Sequence, residues 1–103
     1  MADLFSKLAV GAMTLDHRVA MAPLTRMRAV APAYAPTDMM VEYYSQRASK
    51  GGLIITEATH VSQAARGAPD TPGIYTDGQV AGWHKVTEAI HAKGGLAVMQ
   101  LWH

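Results

Sequence analysis

Three short apolar runs, residues 19–22, 53–58 and 96–99, are separated by two segments whose apolar residues recur with helical period. That alternation constrains the fold more than any other feature of the chain. Short continuous apolar runs read as strands buried on both faces, not as surface strands with one polar side. Successive buried strands joined by helices require parallel pairing and right-handed crossovers. The chain is therefore expected to be α/β, either a doubly wound sheet or a (β/α)8 barrel.

Local chemistry supports each element. Leu8-Ala9-Val10 and Met13-Thr14-Leu15 flank Gly11-Ala12, a pair that suits a tight turn and predicts a leading β-hairpin. Val19-Ala20-Met21-Ala22, closed by Pro23, is the first buried strand. From Thr37 to Lys50 the period changes: Met40, Tyr43, Tyr44 and Ala48 share a face, Thr37 can cap the start, and Gly51-Gly52 supply a stop. Leu53-Ile54-Ile55-Thr56-Glu57-Ala58 returns to a β-branched run and predicts the second strand. A loop bearing Gly and Pro covers residues 59–75, and loops of that length in compact domains are commonly binding loops. Thr76-Asp77-Gly78-Gln79 fits a capping box, with Val80, Trp83, Val86 and Ile90 on one helical face and Gly94-Gly95 past the end. Leu96-Ala97-Val98-Met99 is the third strand.

Half of the 103 residues are apolar, so a modest core is within reach and disorder is not expected. Nine Lys plus Arg against eight Asp plus Glu leave a net charge of +1, with the basic residues scattered, so no nucleic-acid surface is expected. The absence of cysteine removes disulfides, thiolate zinc sites, iron–sulfur clusters and a Cys nucleophile, and suits a reducing cytoplasm. No stretch approaches the ~20 apolar residues of a membrane helix, and the first residues do not resemble a secretory signal. A cytoplasmic protein with no membrane partner is the expectation. No linker divides residues 1–103, which read as one segment of a single domain. The third strand would lack a neighbour on one side, and a barrel of this class takes roughly 250 residues or more. The chain is thus expected to be about a quarter to a third of its fold, with the remainder of the barrel, on a separate chain or further along, as its necessary partner.

Ligands of parallel α/β folds gather at the carboxyl ends of the strands. There the sequence reads Pro23-Leu24-Thr25-Arg26, then Thr56-Glu57-Ala58-Thr59, then Gln100-Leu101-Trp102-His103. A hydroxyl, an amide and an indole converging on one rim are suited to a planar, hydrogen-bonding cofactor. Strand termini are polar in any barrel, however, and a single strand-end amide such as Gln100 is usually solvated or bonded to a loop carbonyl.

Four separated stretches, Met21-Ala22-Pro23-Leu24-Thr25-Arg26, Glu42-Tyr43-Tyr44-Ser45-Gln46-Arg47-Ala48, Gly52-Leu53-Ile54-Ile55-Thr56-Glu57-Ala58 and Val98-Met99-Gln100-Leu101-Trp102-His103, share order and spacing with one known family. In them the chain resembles the Old Yellow Enzyme family, especially bacterial members of the N-ethylmaleimide reductase kind. The likeness covers nearly the whole chain. It implies the first three βα units of a (β/α)8 TIM barrel, with the hairpin plugging the barrel bottom. It also implies non-covalent FMN, NADPH or NADH as hydride donor, and an activated alkene (an enone, enal or nitroalkene) as substrate. By the resemblance, the backbone of Pro23, Leu24 and Thr25 faces the central region of the flavin, and the Thr25 hydroxyl donates to flavin O4. Ala58 lets the backbone approach the pyrimidine edge and Gln100 hydrogen-bonds there. Thr25, Trp102 and Ala68 belong to the substrate pocket, Ala68 replacing the bulky aromatic of some relatives after the glycine. The resemblance places the family's substrate-binding His/Asn or His/His pair, its proton-donating Tyr and its phosphate-binding Arg later in the barrel, so no catalytic residue is expected in this segment. The competing reading is a structural piece of a phosphate-binding barrel without flavin.

The remaining chemistry-bearing residues have plainer readings. The five histidines show no ligand triplet at metal spacing and are expected to be structural or solvent-facing. Glu57 is expected to play a polar role inside the barrel or at its rim, Trp83 to belong to the core, and the seven methionines to fill it. Trp102, two residues after Gln100, is expected on the same strand face.

Overall fold

The computed structural model describes residues 3–103. Strands β1 (Leu8–Val10) and β2 (Met13–Leu15) pair antiparallel, Leu8 opposite Leu15, around Gly11 at φ +58, which is the hairpin expected from Gly11-Ala12. Strand β3 (Ala20–Met21) leads into helix α1 (Asp38–Arg47), and β4 (Leu53–Ile55) follows. Short strand β5 (Thr59–His60), helix α2 (Asp77–Ala92), β6 (Leu96–Val98) and β7 (Leu101–Trp102) complete the order. Strands β3, β4 and β6 form one parallel sheet in that order, and β5 pairs parallel with β7. The described residues thus contain two complete strand–helix units and a third strand, with no third α-helix among them.

The register explains the core. Met21, Ile54 and Ala97 stand opposite one another and share a face. Ile54 is buried against Met40 and Tyr44 of α1 and Trp83, Val86 and Ile90 of α2, while Met21 and Ala97 pack at the edge of that cluster. The alternate rows, Ala20–Leu53–Leu96 and Ile55–Val98, point away from the helices and are only half-buried or exposed. Burial on both faces, expected from the continuous apolar runs, is therefore not met within this chain. Only the helix-covered face is closed, because both crossovers lie on it.

Several local expectations need correction. Val80 is 51% exposed, and the buried stripe of α2 runs through Gln79, Gly82, Trp83, Val86 and Ile90. Gly82 explains the rotation: a Cβ there would lie 2.8 Å from Pro36, so a bare backbone admits the 34–36 loop and turns Val80 outward. Met27 and Met39 are exposed and fill no core. Helix α1 stops at Arg47, before Gly51-Gly52, with Ala48 already extended. Thr37 precedes it without a side-chain cap, its hydroxyl donating instead to the Arg28 carbonyl at 3.3 Å. The capping box of α2 forms as expected: Thr76 Oγ1 accepts from the Gln79 amide, and Gln79 Oε1 accepts from the Thr76 amide. Gln79 also donates to the Ala33 carbonyl, fastening a second loop. The loop over 59–75 is more ordered than its composition suggests, with β5, a 3-10 turn at Gln63–Ala65 and a bridge between His60 and Gly73.

Candidate functional site

The second and third apolar runs are not single strands; each is interrupted. Pairing of β4 with β6 ends where the Thr56 amide donates to the Val98 carbonyl at 2.9 Å. It resumes where the Thr59 amide donates to the Gln100 carbonyl at 3.0 Å, and β5 and β7 carry it on through His60 and Trp102. Residues 56–58 and 99–100 form the facing breaks. Ala58 and Gln100 sit in them, while Pro23, Leu24 and Thr25 follow β3 at the same end of the sheet. The structure therefore brings the three expected cofactor-contacting stretches to one rim. Because Gln100 precedes β7 instead of lying in it, strand alternation does not by itself put Gln100 and Trp102 on one face.

Two donors stand at this rim, the Thr25 hydroxyl on a half-buried residue and the side-chain amide of Gln100 on an exposed one. Leu24 is 54% exposed and Leu101 62%, large apolar groups beside those donors. Trp102 is half-buried, and its ring lies so close to Gly67 that a Cβ there would stand 2.6 Å from it. Gly67 thus lets the 63–68 segment lie on the indole and sets Ala68, also half-buried, next along the chain.

Behind the rim the polarity of the interior changes. Thr56, Glu57, Thr59, His60 and Thr71 are all buried. The Tyr44 hydroxyl accepts from the Glu57 amide at 2.9 Å and donates to Glu57 Oε2 at 2.7 Å, while Oε1 has no partner among the described residues. Burial pushes the Glu57 carboxyl above its usual range, against the opposing pull of the Tyr44 hydrogen bond and the Arg26 amide and charge. The Tyr44 hydroxyl is pushed upward as well, first by burial and then by Glu57. His60 is enclosed by Tyr34, Tyr75 and Thr71, its Nε2 also unpartnered, and burial followed by the Arg66 charge lowers its pKa. His60 is then neutral at pH 7. A structural role for it agrees with the sequence, but its burial and the Tyr44 partnership of Glu57 are new. The only local signal was a polar pair inside an otherwise apolar run.

Among the described residues no group of three or more His, Asp or Glu side chains could hold a metal ion, and no helix is long and apolar enough to cross a membrane.

Comparisons with known proteins agree with one another. The chain is 54% identical to the flavin oxidoreductase hxnT of Emericella nidulans, over 97% of this chain and 26% of that protein. The fold superposes on morphinone reductase, solved in complex with tetrahydroNAD, with a TM-score of 0.92 and 53% identity, covering 100% of this chain and 28% of the other. An old yellow enzyme homologue from Zymomonas mobilis gives a TM-score of 0.92 at 51% identity, with coverages of 99% and 28%. The chain spans about a quarter of the length of the curated relatives it matches, 26% in the case of hxnT. A barrel without flavin finds no support in these matches. Residues 3–103 match the family model described as NADH:flavin oxidoreductase / NADH oxidase, and the chain belongs to that family.

Proposed function

We propose that this chain supplies one wall of the FMN site in an oxidoreductase that reduces activated C=C bonds, with NADPH or NADH as the electron source. The observation that carries the reading is the convergence of Thr25 and Gln100 on either side of Ala58 at the carboxyl ends of three parallel strands. Bound FMN would supply hydride chemistry, taking hydride from the nicotinamide and passing it to the alkene. The protein's part is binding, orientation and electrostatics. Pro23 and Leu24 would present backbone to the flavin's central region, and the Thr25 hydroxyl would donate to it. Ala58 would let the backbone approach the flavin's pyrimidine edge, and Gln100 would hydrogen-bond there. Donors aimed where negative charge gathers on reduction favour the reduced cofactor. Trp102, steadied by Gly67, and Ala68 shape the space over the ring where an enone, enal or nitroalkene lies. The half-exposed apolar rows of the sheet are the interior of a (β/α)8 barrel whose other strands complete the site, and a cytoplasmic setting suits the cysteine-free composition.

The test is a flavin titration and potentiometry of the full-length protein and its Thr25→Ala variant. A hydrogen bond to a charged group contributes roughly 1.5–3 kcal/mol. The variant should therefore show a lower flavin potential, with flavin reduction slowed more than reoxidation by alkene. A potential that does not fall, or equal effects on both half-reactions, removes Thr25 from the site.

A further inference from the structure

The break at residues 56–58 is held by side chains where a continuous strand would use ladder partners. The Glu57 amide goes to the Tyr44 hydroxyl, and the Glu57 carbonyl accepts from Thr56 Oγ1 at 3.2 Å and Thr59 Oγ1 at 2.9 Å. Tyr44 then returns its own proton to Glu57 Oε2, closing a ring between α1 and the strand break. The chain of bonds continues across the sheet, since Thr56 Oγ1 also accepts from the Gln100 amide at 3.3 Å. Tyr44 and Thr59 are fully buried and Thr56 and Glu57 nearly so. Polar groups in such surroundings keep a single arrangement only while every link is made.

We propose that Tyr44 and Glu57 are positioning residues that fix the backbone of Ala58 and Gln100 against the edge of the flavin, acting from the helix layer without touching the cofactor. The inference rests on the flavin reading above. Its carrying observation is independent of that reading: a hydroxyl of α1 accepts from the amide and donates to one carboxyl oxygen of the residue immediately before Ala58. Tyr44 has no other polar partner among the described residues, so its hydroxyl serves this junction alone. An apolar ring would fill the same core space beside Trp83 and Tyr43.

Three variants of the full-length protein test this. Tyr44→Phe keeps the ring and removes both bonds. Glu57→Gln keeps an oxygen that accepts from Tyr44. Thr59→Val removes only the shorter of the two hydroxyl bonds to the Glu57 carbonyl. Two net hydrogen bonds support roughly a tenfold change in equilibrium. Tyr44→Phe should therefore weaken FMN binding roughly tenfold, and move both the flavin absorption bands and the midpoint potential. Thr59→Val should do the same by roughly threefold, and Glu57→Gln should stay within about twofold of the parent. A merely structural pair would lower the melting temperature of Tyr44→Phe and Thr59→Val while leaving FMN affinity, bands and potential unmoved, and that result overturns the proposal. If Tyr44→Phe does not fold, an unmoved Thr59→Val overturns it. A parent protein that takes up no FMN overturns the flavin reading and this one together, whereas normal uptake with unmoved variants overturns the positioning pair alone.

Discussion

On the helix-covered face of the sheet, burial follows hydrophobicity; at the carboxyl-end rim it is inverted. Met40, Tyr44, Ile54, Trp83, Val86 and Ile90 are buried together on the first. At the second, Thr56, Glu57, Thr59, His60 and Thr71 are buried, while Leu24, Val98 and Leu101 are exposed. An apolar core is assembled from interchangeable contacts and tolerates imprecision, but a buried polar group needs a specific partner at a specific distance. The first region keeps the chain folded. The second holds groups in place, and the apolar residues it exposes border the rim where a planar ligand and further strands would lie.

That contrast is broken most directly by comparing two exposed valines. Val80 is 51% exposed on α2 and Val98 is 40% exposed on the sheet face turned from the helices. If that face is the interior of a larger barrel, Val98→Glu in the full-length protein buries an unpaired charge and should cost more than about 2 kcal/mol. Val80→Glu, on a solvated helix surface near an N-terminus, should change stability by less than about 0.5 kcal/mol. Denaturant melts of the two variants decide it. Equal, small effects would mean that the face stays open and the barrel reading fails.

What was legible in the sequence was whatever is decided within a few residues. Gly11 at a two-residue turn, Thr76 and Gln79 at a helix start, and the apolar runs of the sheet all announce themselves locally. The rotation of α2 that exposes Val80 depends on Pro36 packing on Gly82, a contact across 46 positions that no helical period contains. Glu57 reads as a polar residue inside the barrel or at its rim, but the partner that holds it, Tyr44, comes from another element. The candidate rim rests on strand-end positions and family likeness together. The breaks that shape it are not legible there, because residues 56–58 keep a strand-like composition while the amide and carbonyl of Glu57 bond to side chains.

A second way to sharpen the contrast uses pH. His60 has a folded pKa below its ordinary 6.5, chiefly through burial and then through Arg66. The unfolded chain then binds the proton more readily, so the stability present above pH 6.5 is lost as pH falls through that value toward the folded pKa. Glu57 works in the opposite sense. Its folded pKa lies above the ordinary 4.5, and its burial removes stability as pH rises from 4.5 toward the folded value. In the full-length protein, His60→Gln should reduce the fall in melting temperature between pH 6.5 and lower values, whereas Glu57→Gln should reduce the loss on raising pH above 4.5. Parent and variant curves that stay parallel would show that the rim's buried groups do not titrate on unfolding.

The smallest effect separates the two helices that build the covered face. Helix α2 begins with a complete capping box, in which Thr76 satisfies the Gln79 amide at 3.2 Å and Gln79 satisfies that of Thr76 at 3.1 Å. Helix α1 begins at Thr37, whose backbone is placed for a cap but whose hydroxyl donates to Arg28 on another segment. Thr76→Ala leaves a helix-terminal donor without its partner and should cost about 1 kcal/mol. Thr37→Ala removes one bond at a half-buried site, 3.3 Å long and outside the helix, and should cost less than about 0.5 kcal/mol. The two losses should add, because the caps share no hydrogen-bond partner. Urea melts of the full-length single and double variants measure both. A Thr37→Ala loss as large as that of Thr76→Ala would mean that the Arg28 carbonyl depends on this bond. The segment leaving β3 toward α1, which also carries Thr25 and Arg26, would then be tied to α1 through Thr37 as firmly as the strand break is tied to it through Tyr44.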